Sequence, residues 1–442
     1  MSSDVLRPLS DYEAVLVRLG DIAPINFTMI SRVRGPLNED ALQEAIAACQ
    51  KRHPLLSVNI ARKAQGWSYS TSGVPDLALN VIDAREDELS QIVERELEER
   101  IDWSVGPLAR FVLVRHSFGL QHLLITFHHV IGDAIAGADL MRQVLQHAAA
   151  CSVELSPPRF DHGSSALPID DRLPRATKGL AGAWRMLLFV LGVFCDDLRF
   201  GKPATIRPDA DALLAKRWTR VIRREFDEGV TTALVERCRS MGTTVHGALS
   251  ATVCLAIAAD QAGEQTISVK HRSPVNLRDR LTPPAHDEIG LFAAMAFFRG
   301  RISSKDDFWE VARAVSDQIH CQVAADRPGT FVRILPRVFS LVGGARLSDE
   351  ALATRWRKQT ATTTGLTNIG RIDFESGVDS IHIESLHFAV APGPIGDFTT
   401  TVTTFAGKLR INLMCPTQVF SAERAYALAD DVTGRIEQAL LD

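Results

Sequence analysis

Two adjacent histidines followed by an aspartate are the residues whose types and spacing could do chemistry. They stand in Leu123-Leu-Ile-Thr-Phe-His128-His129-Val-Ile-Gly-Asp133-Ala134, at the end of a strongly apolar run. Neighbouring side chains on a strand face opposite sides, so one histidine can enter a cleft while the other packs behind it. Imidazole titrates near neutrality, which suits it to take a proton from an alcohol, amine or thiol. An aspartate in the following turn can orient the loop, or hold an arginine that does so. A lone histidine at a strand end is more often an ordinary packed or surface residue; the His-His-x-x-x-Asp spacing is more specific. A metal centre is not indicated. The two rings face opposite ways, and no His-Glu-x-x-His or Cys/His cluster supplies further ligands.

Other chemistries lack their motifs. No Gly-x-Ser-x-Gly elbow occurs, and none of Cys49, Cys151, Cys195, Cys238, Cys254, Cys321 and Cys415 lies in a nucleophile motif. These cysteines are odd in number and form no C-x-x-C pair, which points to mostly small buried hydrophobes in a reducing cytosol rather than a disulfide framework. No P-loop or Gly-x-Gly-x-x-Gly indicates ATP or NAD. With 49 Lys and Arg against 53 Asp and Glu, the chain carries a net charge of −4 and has no general attraction for nucleic acid.

The elements that must position the motif alternate strand and helix. A length of 442 residues suggests two or three domains, and a 46% hydrophobic, 23% charged composition is globular. Strands are expected at Asn26–Arg34, Leu108–His116 and His122–His128, and a hairpin at Leu55–Ala61 and Gly66–Ser70. Helices follow Asn38, cover Asp87–Arg100 and resume over Ala134–His147. Pro157-Pro158, Gly163-Ser164-Ser165 and four later prolines mark 152–214 as a connector. A second alternating half opens with a strand at Arg217–Phe226. It continues with helices at Glu228–Met241, Thr244–Gln261, Asp306–Ala325 and Ser348–Lys358, and a last helix after Ser421. Its other strands are expected at Thr266–Val275, Ala293–Ile302, Thr363–Asp373, Ser380–Val390, Thr399–Phe405 and Lys408–Met414. The expected organisation is residues 1–151 with the motif, a crossover over 152–214, and a second unit over 215–442.

Within the connector, Gly179 to Leu198 is apolar on most of its circumference. Such a helix is expected in the core or a dimer contact, or bordering a substrate tunnel or resting on a membrane surface. Its longest uninterrupted apolar run, Met186 to Cys195, is too short to span a bilayer. The start, with an early acid and no apolar core, shows no secretory signal, and a cytoplasmic location is expected.

His128-His129-Val-Ile-Gly-Asp133-Ala134 resembles the H-H-x-x-x-D-G signature of the CoA-dependent acyltransferase superfamily. That group includes chloramphenicol acetyltransferase, peptide condensation domains, wax ester synthases and polyketide-associated acyltransferases. Three more segments carry the likeness: Ile101-Asp-Trp-Ser-Val-Gly-Pro-Leu-Ala-Arg, Ser273-Pro-Val-Asn-Leu-Arg278 followed by Glu288-Ile-Gly-Leu-Phe, and Thr363-Thr-Gly-Leu-Thr-Asn368-Ile-Gly-Arg. Together they run in the expected order from about residue 10 to 440. The chain departs in having Ala134 for the signature glycine and no D-F-G-W-G motif; Gly396-Asp397-Phe398 is at most an echo.

The resemblance implies an α/β fold of two chloramphenicol-acetyltransferase-like domains, with mixed sheets and flanking helices, forming a pseudo-dimer around a central tunnel. It implies His129 as general base, His128 as its buried neighbour, and Asp133 paired with Arg278 across the domains. Asn368 or Thr364 would lie beside the tunnel. No bound cofactor is implied; acyl-CoA or a phosphopantetheine-linked acyl carrier protein would be the thioester donor, and a small alcohol or amine the acceptor. Direct transfer then follows: His129 removes the acceptor proton and the acceptor attacks the thioester. The leading expectation is a free-standing ester-forming enzyme of lipid or secondary metabolism. Amide formation and a non-catalytic docking protein on the same scaffold are the alternatives.

Overall fold

The computed structural model describes residues 4–35, 37–63, 66–152, 167–210, 218–343, 347–373, 377–378, 381–394, 398–417 and 419–441. Part of the connector with Pro157-Pro158 and Gly163-Ser164-Ser165, together with Arg217, Ser380 and Gly396-Asp397, lies outside the described residues.

The architecture is α/β, with mixed sheets and flanking helices. One six-stranded sheet runs, in spatial order, Gly377–Val378, Ile381–Val390, Asn26–Arg34, Leu120–His128, Ala109–Arg115 and Leu79–Asp83. The other runs Ala293–Ile302, Ile267–Asn276, Thr364–Ile372, Thr399–Phe405, Lys408–Pro416 and Thr219–Phe226. A small sheet of Val5–Pro8, Gly66–Ser70 and Asn59–Lys63 stands apart. The pairs Leu79–Asp83 with Ala109–Arg115 and Thr364–Ile372 with Thr399–Phe405 are parallel, while Asn26–Arg34 pairs antiparallel with Leu120–His128.

Each large sheet has its own core. Phe27, Phe111, Phe127, Leu140 and Met141 meet in the first. Phe298, Trp309, Val402, Phe420 and the buried helix Val245–Ala262 meet in the second. A third cluster, with Leu19, Leu291, Phe339 and Trp356, joins residues from both halves of the chain.

The structure departs from the sequence expectation in several places: strands Val5–Pro8 and Leu79–Asp83 are additional to those expected, the expected strand Leu55–Ala61 begins as the 3-10 turn Pro54–Ser57, and four further differences concern longer elements. Ile381–Val390, expected within the unit 215–442, hydrogen-bonds to Asn26–Arg34 and so extends the first sheet. Helix Asp11–Ile22 starts at a Ser10/Glu13 capping box, a signal present in the sequence. Helix Arg327–Leu341 forms although it contains Pro328 and Pro336. Pro328, in the first turn, costs no intrahelical bond, and Phe331, Leu335, Val338 and Phe339 supply an apolar face that outweighs the interior Pro336. Finally, helix Gly179–Phe200 is not sandwiched in the core; of its residues only Gly182 is buried.

Candidate active site

Strand Leu120–His128 carries the histidine pair to the junction of the two sheets, and helix Ala134–Ser152 begins immediately after the aspartate. Asp133 caps that helix: its Oδ1 accepts from the Ala136 backbone N–H at 3.0 Å. The intervening turn is tied down by Tyr69, whose hydroxyl donates to the Val130 carbonyl at 3.1 Å.

His129 is half-buried and lines a cavity of about 540 Å³. Its Nδ1 lies 2.7 Å from the Gly132 carbonyl oxygen. A carbonyl can only accept, so Nδ1 carries the proton and Nε2 keeps its lone pair. Among the described residues, Nε2 has no hydrogen-bond partner. The ring is also held edge-on by Phe27, centroid to centroid 5.3 Å. The tautomer and orientation are those a general base needs.

His128 is the opposite case. It is buried, and burial, with His129 adding to it, pushes its pKa down to about 3. It is therefore neutral. Its Nδ1 accepts from the Val130 N–H at 3.3 Å, which leaves the ring proton on Nε2. Gly20 makes room for that ring: a Cβ there would lie 2.9 Å from His128 Nε2.

Asp133 turns its second oxygen to the other half of the chain. Oδ2 accepts from Arg278 Nη1 at 2.8 Å and from the Phe292 N–H at 2.9 Å. Both side chains of the ion pair are 5% exposed, so the pair is desolvated. Burial alone would raise the carboxyl; Arg278 and the hydrogen bonds outweigh it and hold the group below its ordinary range. The Arg278 guanidinium also covers the Phe292 ring at 5.0 Å. Asp133 and Arg278 thus tie the two halves together beside His129.

The cavity draws on both halves. Tyr12, Phe27 and His129 come from the first; Asn276, Arg278 and Asn368 come from the second. Leu16, Leu291, Leu335 and Val338 make apolar wall, while Lys270, Arg299 and Arg327 supply cationic groups. Asn368 is in the lining, its Oδ1 also accepting from Gly370 N at 2.8 Å. Thr364 is buried among the sheet's neighbours and does not line the cavity; Thr367, on the same strand, does. Motif reading misses Tyr12 and Lys270, which stand in no pattern that marks them. A larger depression of about 680 Å³, around Arg18, Trp67 and Trp103, contains no member of the His-His-Asp motif. Glu44, His147 and Cys151 lie close enough to hold a metal ion, but none of them lines the His129 cavity.

Two family models match the two halves of the chain, in keeping with its resemblance to the CoA-dependent acyltransferase superfamily. Residues 24–152 match the model of the condensation domain, and residues 215–414 match that of the phthiocerol/phthiodiolone dimycocerosyl transferase C-terminus. The phthiocerol/phthiodiolone dimycocerosyl transferase of Mycobacterium leprae is 28% identical over 144 residues, 32% of this chain and 33% of that protein. Cyclosporin synthetase of Tolypocladium inflatum is 23% identical over 317 residues, 69% of this chain but 2% of that protein. The chain thus matches a third or less of these relatives' lengths. Among solved structures, polyketide synthase associated protein 5 of Mycobacterium tuberculosis superposes with a TM-score of 0.69 at 18% identity, covering 99% of this chain and 98% of the other. The trichothecene 15-O-acetyltransferase of Fusarium sporotrichioides gives 0.72 at 11%, covering 98% and 95%. These likenesses show a shared fold.

Proposed function

We propose that this protein is an acyltransferase that moves an acyl group from a CoA or carrier-protein thioester to an alcohol, forming an ester. The observation that carries the reading is the state of His129: Nδ1 is committed to the Gly132 carbonyl, and the unprotonated Nε2 remains for the cavity. His129 Nε2 takes the acceptor's proton as its oxygen attacks the thioester carbonyl. Collapse of the tetrahedral intermediate expels the thiolate, which takes the proton from the imidazolium. General-base action of this kind contributes ~10²–10⁴ in rate. His128 backs His129, Asp133 and Arg278 hold the loop, and Asn368 sits where it can contact the substrate. Donor and acceptor would reach His129 through a tunnel between the sheets, of which the cavity is the inner part. The apolar wall suits a fatty or polyketide acyl chain, and the setting would be cytoplasmic lipid or secondary metabolism. No bound cofactor is invoked.

Amide formation with an amine is the second reading, favoured by the condensation-domain match over 24–152. Product mass from a panel of acyl thioesters, CoA- and carrier-linked, with alcohol and amine acceptors decides. Ester products uphold the first reading and amide products the second. No acceptor-dependent loss of thioester from any donor rejects both.

A further inference from the structure

Helix Gly179–Phe200 presents a long apolar surface to solvent. Leu180, Trp184, Leu187, Leu188, Leu191, Phe194 and Leu198 are all exposed, from 46% at Leu187 to 92% at Leu180. Their spacing of three and four places them on one helical stripe. The helix has 22 residues and so runs about 33 Å at ~1.5 Å per residue. Contiguous apolar surface of this extent marks an interaction site.

The charges around the stripe narrow the partner. Between Arg172 and Lys202 there are six Arg and Lys against two acids, Asp196 and Asp197. Arg175 and Lys178 stand exposed just before the helix, and Arg199 and Lys202 at and just beyond its end. Among the described residues none of these four makes an ion pair. Of the other charged groups of the helix, Arg185 pairs with Asp326 at 3.5 Å, Asp197 pairs with Arg299 at 3.0 Å, and Asp196 lines the His129 cavity, so these groups are turned towards the body of the protein. The inner side also packs Phe189 against Phe331, ring centroids 6.4 Å apart. A helix anchored this way along one side does not span a bilayer. It lies flat.

A second copy of the chain fits less well. Two such helices packed together set cationic ends on cationic ends in either direction, with no free acid on the stripe to pair them. A bilayer with anionic headgroups complements both ends at once, and Trp184 suits its interface. The position of the helix gives docking a purpose. Phe189 and Val193 line the His129 cavity, and Val193 is also exposed, so the cavity rim reaches the edge of the apolar face.

We propose that helix Gly179–Phe200 is an in-plane docking element that seats the protein on an anionic lipid bilayer, with the rim of the His129 cavity facing the lipid. This does not depend on the reaction catalysed, and its test measures binding alone. Purified protein is sedimented with vesicles of phosphatidylcholine and with vesicles of phosphatidylcholine and phosphatidylglycerol, and its mass is followed by analytical ultracentrifugation. The wild type should bind, and bind the anionic vesicles more tightly. Leu188→Asp with Leu191→Asp should reduce the partition coefficient at least ~tenfold with an unchanged Tm, because both residues already face water. Lys178→Glu with Lys202→Glu should reduce anionic-vesicle binding by roughly fivefold or more per residue while sparing binding to neutral vesicles. The proposal is overturned by a wild type that binds neither vesicle, or by binding that survives the Leu188/Leu191 change. A dimer lost on that change, without vesicle binding, also overturns it and assigns the face to a second copy.

Discussion

Asp133 and Arg278 are 145 positions apart in the chain and joined by a 2.8 Å hydrogen bond. The same carboxylate caps helix Ala134–Ser152 and accepts from Phe292, so one side chain fixes the histidine loop to both halves. Asp133→Ala should cost ~3–5 kcal/mol, because it leaves Arg278 buried and charged without its partner. A fall in Tm accompanying the fall in turnover is expected. A variant that melts like the wild type would refute the clamp.

His129→Ala should act on turnover and not on folding. The ring is half-buried, and its hydrogen bond to Gly132 and its contact with Phe27 both lie in the first half of the chain. Transfer should drop at least ~10²-fold with an unchanged circular dichroism spectrum and Tm. Near-normal turnover by the folded variant would remove His129 from the mechanism.

Gly20→Ala tests the packing behind the motif. Its methyl would meet His128 Nε2 at 2.9 Å. Overpacking of this kind costs ~1–3 kcal/mol. Activity should fall with stability because the displaced ring accepts from the Val130 N–H in the turn that follows His129; unaltered urea midpoint and turnover would show that His128 moves freely.

Stability should decline on mild acidification. Burial lowers His122, His128 and His271 to about 3 and His246 to about 4. All four are neutral when folded, while the unfolded chain takes up their protons below about pH 6.5. The unfolded state then binds more protons, so stability falls as pH drops from about 6.5 towards 4, by on the order of 1 kcal/mol per unit for each histidine. The Asp133 contribution has the same sign but falls in a lower pH window. Its folded value is depressed, so it persists above the ordinary aspartate range and is lost only below it. Urea midpoints at pH 7 and pH 5 check the histidine effect; equal midpoints would contradict it.

Phe189 and Leu188 are neighbours with different surroundings. Phe189 lines the cavity beneath the Arg327 guanidinium, 5.4 Å from its ring centroid, while Leu188 faces solvent. Phe189→Ser should lower turnover of long-chain donors more than of short-chain ones, and Leu188→Ser should leave soluble-donor kinetics alone. Equal losses for both chain lengths at Phe189 would make it a plain packing residue.

The sequence alone determined what is local. The His-His-x-x-x-Asp run, the apolar strand before it and the helix after it are contiguous, so their patterning carries strand, turn and cap together. The block around Arg278 was legible for the same reason, and family resemblance rather than spacing tied it to Asp133. Only the tertiary structure decided which partners these segments find. Strand Ile381–Val390 carries ordinary strand patterning, but pattern does not name a neighbour, and its edge bonds went to Asn26–Arg34 in the other sheet. Helix Arg327–Leu341 was obscured because Pro328 and Pro336 depress propensity, whereas burial of its apolar face against the third core outweighs that cost. Thr364 and Thr367 share a strand and a residue type, and only packing sends one into the sheet's interior and the other to the cavity. The same holds for Gly179–Phe200. Its apolar circumference is written in the sequence, but exposure depends on whether another surface arrives to cover it, and among the described residues none covers its outer stripe.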